Sequence, residues 1–231
     1  MNKPNLSIGQ YALSIFFPLI IPASMFFLGG DWFWLQMWVW TIWFVIFCWI
    51  TTLYLYFKDP ALLEERFQPI KTTNQRASDA HLIFMIGIVF VLWDIILPLD
   101  AHRYMWTHNF PQSLEIVGAL LLLLAAFFIF RTFSDNTFAS PLIRVQTERK
   151  QTVISTGVYG FVRHPMYLGA LLMFIGTPLS LGSLWGLVIG AVLIILMGFR
   201  TIGEEKLLVD ELEGYAAYRQ KVRYRFIPFI W

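Results

Sequence analysis

The chain has 231 residues, of which 58% are hydrophobic, 18% aromatic and 14% charged, with a formal net charge of +2 and a mean hydropathy of +0.62. A soluble domain carries about 25% charged residues, so this composition excludes an ordinary soluble protein and predicts an integral membrane protein. The single cysteine, Cys48, lies inside an apolar run, where packing is its expected role.

Four apolar runs in the first part of the chain are each long enough to span a membrane as a helix, which takes about 20 residues. They are Tyr11–Leu28, Trp32–Phe57, Ala80–Pro98 and Ser113–Phe130. Pro18 and Pro22 predict a kink or a local break in the first run. That run leads straight into the second, so no cleavable signal peptide is expected. We predict a four-span domain over residues 1–131 and a second module over residues 132–231.

The apolar run from Pro165 to Phe199 is too long for one comfortable crossing. Helix-interrupting residues lie in its middle, at Gly176, Pro178, Gly182 and Ser183. We therefore predict a helical hairpin with two legs, each slightly shorter than a full crossing. Beyond Arg200 an amphipathic pattern predicts a C-terminal surface helix. The predicted fold class is an all-α membrane protein with about six transmembrane helices.

The basic residues are distributed unevenly between the two sides of such a fold. With six crossings, one side receives the N-terminus and the segments 58–79, 131–163 and 200–225. These parts carry every lysine and arginine of the chain except Arg103. Because loops rich in lysine and arginine stay on the cytosolic side, both termini and the motif that follows are predicted to face the cytosol.

The segment Gly157–Gly169 carries the most specific local pattern, because it joins two potential anion-binding groups, Arg163 and His164, directly to Pro165. A residue before proline is disfavoured in the α region, whereas proline is favoured at the first helical position. His164 should therefore be extended and Pro165 should begin a helix. The unpaired N–H groups and the partial positive charge of that helix start favour a small anionic group beside His164. The alternative is a helix start with a basic interfacial anchor.

Arg200 and Glu204 form a second constellation, at the end of the hairpin. They are four positions apart and share a helical face. The hairpin returns them to the surface at which it begins, so we predict that they lie close to Arg163, His164 and Tyr167. The alternative is a surface ion pair, worth about 0–1 kcal/mol. An arginine at the membrane interface nevertheless carries a free-energy cost, which argues against this alternative unless Arg200 has a function.

These motifs resemble those of the isoprenylcysteine carboxyl methyltransferase family. The matching residues are Gly157-Val-Tyr159, Arg163-His-Pro-Met-Tyr167, Glu204-Glu205, Tyr215-x-x-Tyr218, Val222 and Ile227-Pro228. They occur in the family's order and at nearly its spacing, from about Gln146 to the C-terminus. The segment from Gln146 to Gly157 is about two residues shorter than in eukaryotic members. Gln151 stands where a histidine is usual, and Glu213-Gly214 stands in place of a Phe-Gly turn.

The resemblance implies a site, residue by residue. Contacts to the cofactor S-adenosylmethionine are implied for Gln146, Gln151, Thr152, Val153, Ile154, Tyr159, His164, Pro165, Met166, Tyr167 and Glu204. Arg200 is implied to bind the substrate carboxylate, which makes Arg200 and Glu204 the expected catalytic pair. The cofactor-binding loop, the helical hairpin and the C-terminal tail are then expected to form a catalytic module over residues 132–231. No metal is expected.

The activity that the resemblance implies is methyl transfer to a lipophilic or lipidated acceptor from the bilayer, most specifically to the carboxylate of an isoprenylcysteine-like substrate. The residues agree with this chemistry, because a carboxylate is already ionised at pH 7 and an arginine is its natural clamp. Membrane lipids are expected neighbours, and no nucleic-acid partner is expected. Phospholipid amines and small thiols remain alternative acceptors. A sterol-type reductase using NADPH and a non-enzymatic transporter remain alternative classes, and the oligomeric state stays open.

Overall fold

The computed structural model describes residues 4–67 and 77–231, and this part of the chain is helical and contains no strand. The predicted all-α fold class is therefore confirmed. The helices are α1 (Ile8–Gly29), α2 (Leu35–Lys58), α3 (Pro60–Arg66), α4 (Ala77–Pro98), α5 (Gln112–Asp135), α6 (Pro165–Leu181), α7 (Leu184–Glu211) and α8 (Tyr215–Lys221).

Five of the described helices, α1, α2, α4, α5 and α7, are long and apolar enough to cross a membrane. The shorter apolar helix α6 has 17 residues. The chain is thus a multi-pass integral membrane protein. The first helix runs continuously through Pro18 and Pro22, so the chain is not broken there. The predicted polar loop 58–79 contains α3 and the start of α4, and its residues 68–76 lie outside the described part.

The predicted hairpin is present, but the prediction of two short legs is wrong for its second leg. The turn lies at Gly182, which takes a left-handed conformation with φ of 82°, and Ser183 caps the next helix by accepting a hydrogen bond from the Gly186 N–H. The second leg, α7, has 28 residues and continues past Arg200 to Glu211. No proline interrupts this stretch, so the amphipathic pattern after Arg200 extends the same helix. The separate C-terminal helix, α8, has only seven residues.

Helices α5 and α6 pack unusually closely, because small residues face each other. A Cβ atom added to Gly118 would lie 2.4 Å from the backbone nitrogen of Ser180, and one added to Gly169 would lie 2.5 Å from Cγ1 of Ile129. Glycine at such positions lets membrane helices approach backbone to backbone. The contact holds the start of α6 beside the end of α5.

The C-terminal segment folds back against the start of α6, which the sequence did not predict. The backbone N–H groups of Arg163 and His164 donate to the carbonyls of Tyr224 and Arg225, at 3.0 and 2.8 Å. Phe226 is buried and packs edge-on against Trp231. The segment therefore braces the two residues that precede Pro165.

The described parts of the basic segments lie at one end of the helical bundle. Arg144 pairs with Glu65 of α3, Arg200 pairs with Asp79 of α4, and Arg163 bonds the carbonyl of Arg223. The described parts of the segments 58–79, 131–163 and 200–225 thus meet at a common end, as six crossings require. That this end faces the cytosol stays a prediction.

Candidate active site

A cavity opens at this end of the bundle, between α7 and the start of α6. Its wall is built from the segment after α5, the loop before α6, the first turn of α6, the second half of α7 and the helix α8. Predicted site residues that line it are Gln151, Thr152, Val153, Ile154, Tyr159, His164, Pro165, Met166, Tyr167, Arg200 and Glu204. The two predicted constellations therefore share one cavity.

At the start of α6 the predicted helix start at Pro165 is present, whereas His164 leaves the α region without becoming fully extended. His164 is the N-cap residue with φ of −126° and ψ of 69°, outside the α region, and Pro165 takes the first helical position. The imidazole of His164 stacks on the ring of Tyr167 at a centroid distance of 5.6 Å. Its Nδ1 lies 3.8 Å from Oε1 of Glu204, and its Nε2 lies 3.3 Å from Oε1 of Glu205. The imidazole thus bridges the two neighbouring carboxylates of α7.

Glu205 is buried and holds a cluster of cations beneath the cavity. Its Oε1 accepts a hydrogen bond from Nε of Arg163 at 2.5 Å, and its Oε2 accepts one from Nε of Arg225 at 2.8 Å. Nη1 of Arg163 also donates to the carbonyls of Val222 and Arg223, both at 2.7 Å. Arg163, which the sequence indicated as a potential anion-binding group, thus cross-links α7 to the C-terminal segment.

Glu204 has a different environment, one turn beyond Arg200. Its Oε2 accepts a hydrogen bond from the Tyr167 hydroxyl at 2.7 Å, and 26% of its side chain is exposed, against 4% for Glu205. A carboxylate that faces a cavity with a single hydroxyl donor on one oxygen can accept further hydrogen bonds from an ammonium group or from sugar hydroxyls.

Arg200 lines the same cavity and is held on one side. Its Nε donates to Oδ1 of Asp79 at 3.1 Å, and its Nη2 donates to the carbonyl of Pro141 at 2.6 Å. Asp79 belongs to the first turn of α4, and Pro141 belongs to the segment between α5 and α6. Three separate parts of the chain therefore determine where this guanidinium lies.

The segment that carries Pro141 is fastened by the short helix α3. Glu65 accepts a hydrogen bond from Ser140 Oγ at 2.9 Å and two from Arg144, at 3.2 Å from Nε and 2.8 Å from Nη2. Arg66 donates to the carbonyl of Ala139 at 3.4 Å. Every residue from Phe138 to Arg144 lines the cavity. The helix α3, between the second and third spans, thus supports the wall from behind.

Gln146 is placed differently from the other predicted cofactor contacts. It is fully buried and does not belong to the cavity wall. Its Nε2 donates to the carbonyl of Phe138 at 3.0 Å, and its backbone N–H donates to Oε1 of Gln151 at 2.8 Å. Gln146 therefore joins the segment after α5 to the loop 151–154, both of which line the cavity.

Tyrosines from the loop before α6 and from α8 form part of the wall. The hydroxyl of Tyr159 accepts a hydrogen bond from Nδ2 of Asn136 at 2.9 Å, and its carbonyl accepts one from the Tyr218 hydroxyl at 2.7 Å. Burial raises the pKa of both phenols, so both stay neutral at pH 7. The buried Tyr215 hydroxyl has no hydrogen-bond partner among the described residues. This part of the wall offers aromatic faces and neutral hydroxyls.

Asp79, which holds Arg200, and the segment 138–144, which lines the cavity, were missed by reasoning from the sequence. Asp79 lies at the edge of a polar loop with no motif around it, and the segment 138–144 lies inside a long polar stretch that only Pro141 distinguishes. Their contribution depends on contacts to Arg200 and Glu65, which are distant in sequence. No local pattern in the sequence carried that information.

Comparison with known proteins confirms the resemblance that the motifs indicated. The family model for phospholipid methyltransferase matches residues 114–213. Protein-S-isoprenylcysteine O-methyltransferase A of Arabidopsis thaliana is 26% identical over 151 residues, which cover 64% of this chain and 73% of that protein. Methanethiol S-methyltransferase of Pseudomonas sp. (strain GM41(2012)) is 33% identical over 143 residues, which cover 60% of this chain and 54% of that protein.

Among solved structures, the eukaryotic intramembrane Ras methyltransferase ICMT (isoprenylcysteine carboxyl methyltransferase) aligns with a TM-score of 0.47 at 17% identity, over 97% of this chain and 88% of that one. The relatives named by sequence are methyltransferases that differ in their acceptors. They support a methyltransferase activity and leave the acceptor to be assigned.

Proposed function

We propose that this chain transfers a methyl group from S-adenosylmethionine to a lipophilic acceptor at the membrane surface, most specifically to the carboxylate of an isoprenylcysteine-like substrate. One observation carries the proposal. The guanidinium of Arg200 and the carboxylate of Glu204, one helical turn apart on α7, line the same cavity as His164 and Tyr167 at the start of α6. This cavity offers separate partners for an anionic acceptor and for a zwitterionic methyl donor.

The chemistry requires little beyond placement. S-adenosylmethionine supplies an electrophilic methyl group on a sulfonium. A carboxylate oxygen of the acceptor forms the new C–O bond while the S–CH₃ bond breaks, and S-adenosylhomocysteine leaves. Because the carboxylate is ionised at pH 7, no general base takes part. Holding the two reactants in line supplies several of the roughly 7–11 kcal/mol that good positioning can remove from a barrier.

The lining residues divide into roles that suit the two reactants. Glu204 suits the ammonium or the ribose hydroxyls of the methyl donor, and the helix start at His164 suits the carboxylate of the donor. Tyr159 and the neighbouring aromatic wall suit the adenine. The partly anchored guanidinium of Arg200 suits the acceptor carboxylate.

The place of the cavity suits a lipophilic acceptor. Arg200 stands where α7 leaves its most apolar stretch, so an acceptor with a long hydrocarbon tail can keep the tail in the bilayer while its polar end reaches the guanidinium. We extend the proposal to sidedness, with the cavity on the cytosolic side, because lysine and arginine concentrate at this end. In sealed membrane vesicles whose cytosolic face is outward, an impermeant thiol reagent should label Glu213→Cys and not His108→Cys, with Cys48→Ser as the background.

The test of the activity is incubation of the purified protein with S-adenosylmethionine labelled in the methyl group and a farnesylcysteine analogue. The expected product is a lipophilic methyl ester whose label is released as methanol by base. If the protein transfers label to no lipophilic acid, the assignment of a carboxylate acceptor is wrong.

S-methylation of a thiol is the second candidate, and the similarity to a methanethiol S-methyltransferase favours it. A thiol has a pKa near 8.5, so this reaction needs a group that removes or displaces a proton, for which Glu204 and His164 are at hand. The same labelled donor with small thiols would give a base-stable, volatile thioether. An amine acceptor on a phospholipid would instead give a base-stable label in the lipid fraction.

A further inference from the structure

Asp79 and Arg200 make the most direct link between the first four spans and the cavity. They lie 121 positions apart in sequence, and Oδ1 of Asp79 accepts a hydrogen bond from Nε of Arg200 at 3.1 Å. Both are well buried, with side-chain exposures of 5% for Asp79 and 14% for Arg200. A buried ion pair of this kind is weak evidence for stability, because desolvating both charges offsets their attraction. Its geometry therefore calls for another reason.

The geometry of the guanidinium supplies that reason. Arginine carries five N–H donors in one plane, so fixing two directions fixes the whole group. Here one N–H of Nε points to Asp79 and one of Nη2 points to the carbonyl of Pro141. Among the described residues these contacts leave the two N–H bonds of Nη1 and one of Nη2 for an acceptor. In a guanidinium group one N–H of Nη1 and one of Nη2 form a parallel pair, the arrangement that binds both oxygens of a carboxylate, and this pair is free when the Pro141 carbonyl takes the other N–H of Nη2.

The charge of Asp79 provides a second argument. It neutralises the charge of the guanidinium before an acceptor binds, which lowers the free-energy cost of placing Arg200 at the membrane surface. It also prevents the arginine from turning towards Glu204, which stands one turn away on the same helix face. Without Asp79, Arg200 would lose its anchor at Nε and would gain freedom that acceptor binding must then remove.

We propose that Asp79 is a positioning residue for the methyl acceptor: it holds Arg200 by Nε so that the two Nη groups face the acceptor carboxylate. This inference rests on the proposed carboxylate methylation. It assigns a role in acceptor binding to a residue of the first four spans, whereas the residues that surround the methyl donor come from the C-terminal part of the chain.

The experiment compares Asp79→Asn, Asp79→Ala and Asp79→Glu with the parent protein. Asparagine keeps an oxygen acceptor but loses the charge, alanine loses both, and glutamate keeps both on a longer stem. The KM for the farnesylcysteine analogue should rise by about 10-fold to 100-fold in the alanine variant, and by less in the asparagine and glutamate variants. Thermal stabilisation by S-adenosylhomocysteine should stay the same in all of them, because Asp79 bonds Arg200, which is assigned to the acceptor and not to the donor.

The Arg200→Lys variant distinguishes a positioning role of Asp79 from a merely structural role at the first turn of α4. Lysine lacks the planar guanidinium that Asp79 orients. Adding Asp79→Asn to Arg200→Lys should therefore change the residual KM by less than about twofold. The exposed change Glu213→Gln removes the same charge near the same end of the bundle and should alter neither KM nor donor binding. Its exposed position makes it the matched control.

Three results would overturn the proposal. An unchanged KM in both Asp79→Asn and Asp79→Ala would do so, as would an equal effect of Asp79→Asn in the parent and in Arg200→Lys. A loss of S-adenosylhomocysteine binding as large as the loss of acceptor binding would also overturn it, since Asp79 would then support the whole site. Failure of the proposed function is distinguishable from these three results, because the parent protein itself would then methylate no lipophilic acid.

Discussion

Two polar clusters lie at opposite ends of the α6–α7 hairpin, and they differ in how completely the chain itself satisfies their hydrogen bonds. At the turn of the hairpin, Asp100 is fully buried. Its two oxygens accept hydrogen bonds from the backbone N–H and hydroxyl of Thr107, from the Ser183 hydroxyl at 2.6 Å and from the Trp185 N–H at 3.1 Å. At the open end, Glu204 keeps a quarter of its side chain exposed and Arg200 donates only two hydrogen bonds to described residues.

The difference shows why burial of a charged group does not by itself indicate a functional site. The carboxylate of Asp100 is surrounded by donors from the chain itself, so it joins the loop after α4 to the hairpin turn and has no capacity left for a ligand. Arg200 and Glu204 are anchored on one side and have hydrogen-bonding capacity directed into a cavity. The first cluster should govern stability and the second should govern binding and turnover.

The largest expected effect is that of Arg200→Ala on turnover. Loss of the guanidinium should lower kcat/KM for a carboxylate acceptor by about 100-fold to 1000-fold, because the group that orients the attacking oxygen is gone. Thermal stabilisation by S-adenosylhomocysteine should be kept, and its measurement also verifies that the variant is folded. If donor binding fell as much as turnover, Arg200 would belong to the donor site, and its assignment to the acceptor would be wrong.

The part of this site that the sequence predicted is the part that local sterics decide. The conformation of His164, the helix start at Pro165 and the shared face of Arg200 and Glu204 follow from proline geometry and helical spacing. The sequence placed the hairpin turn between residues 176 and 183 but did not identify its exact position. Pro178 is accommodated inside α6, and Gly182 takes the left-handed conformation that ends α6.

The part that could not be predicted depends on pairing between distant segments. Arg163 looked available for an anion, yet its partner Glu205 lies 42 positions away on α7, and its other contacts come from the C-terminal segment. The same holds for Asp79 with Arg200 and for α3 with the segment 138–144. Spacing within one helix carries no information about which charges meet across helices.

The second prediction tests the closed cluster. Asp100→Ala leaves the Ser183 hydroxyl and two backbone N–H groups without their buried partner, which should cost about 2–4 kcal/mol of folding free energy. For a chain of this size that lowers the midpoint of thermal unfolding in detergent by about 4–16 °C.

The KM values for donor and acceptor should not change in folded Asp100→Ala, because the cluster lies at the far end of the hairpin. Asp100→Asn keeps one acceptor oxygen and should lose less stability. A variant of unaltered stability but raised KM would contradict the division between the two clusters.

The third prediction concerns the methyl donor. Glu204→Gln keeps the size and an oxygen that accepts the Tyr167 hydroxyl, but it removes the charge that suits an ammonium group. The Kd for S-adenosylhomocysteine should rise by about 10-fold to 100-fold, which lowers the stabilisation at a fixed ligand concentration by about 1.4–2.8 kcal/mol. Isothermal titration of the detergent-solubilised protein measures the Kd directly.

Glu213→Gln is the control for this charge change, since Glu213 is exposed and lies outside the cavity wall. Donor binding that is insensitive to Glu204→Gln would remove this carboxylate from the donor site.

The smallest effect expected at the open cluster is that of Tyr167→Phe. The change keeps the ring that stacks on His164 and removes only the hydroxyl that donates to Glu204 at 2.7 Å. One hydrogen bond contributes about 1 kcal/mol, so the Kd for S-adenosylhomocysteine should rise by no more than about fivefold. Tyr11→Phe is the matched control, because its hydroxyl donates to the carbonyl of Pro4, far along the chain from the site.

In a Glu204→Gln background the Tyr167→Phe change should raise the Kd by less than it does alone, because both changes disturb one contact. Full additivity would mean that the hydroxyl acts on the donor directly, in which case Tyr167 binds the donor itself and does not orient Glu204.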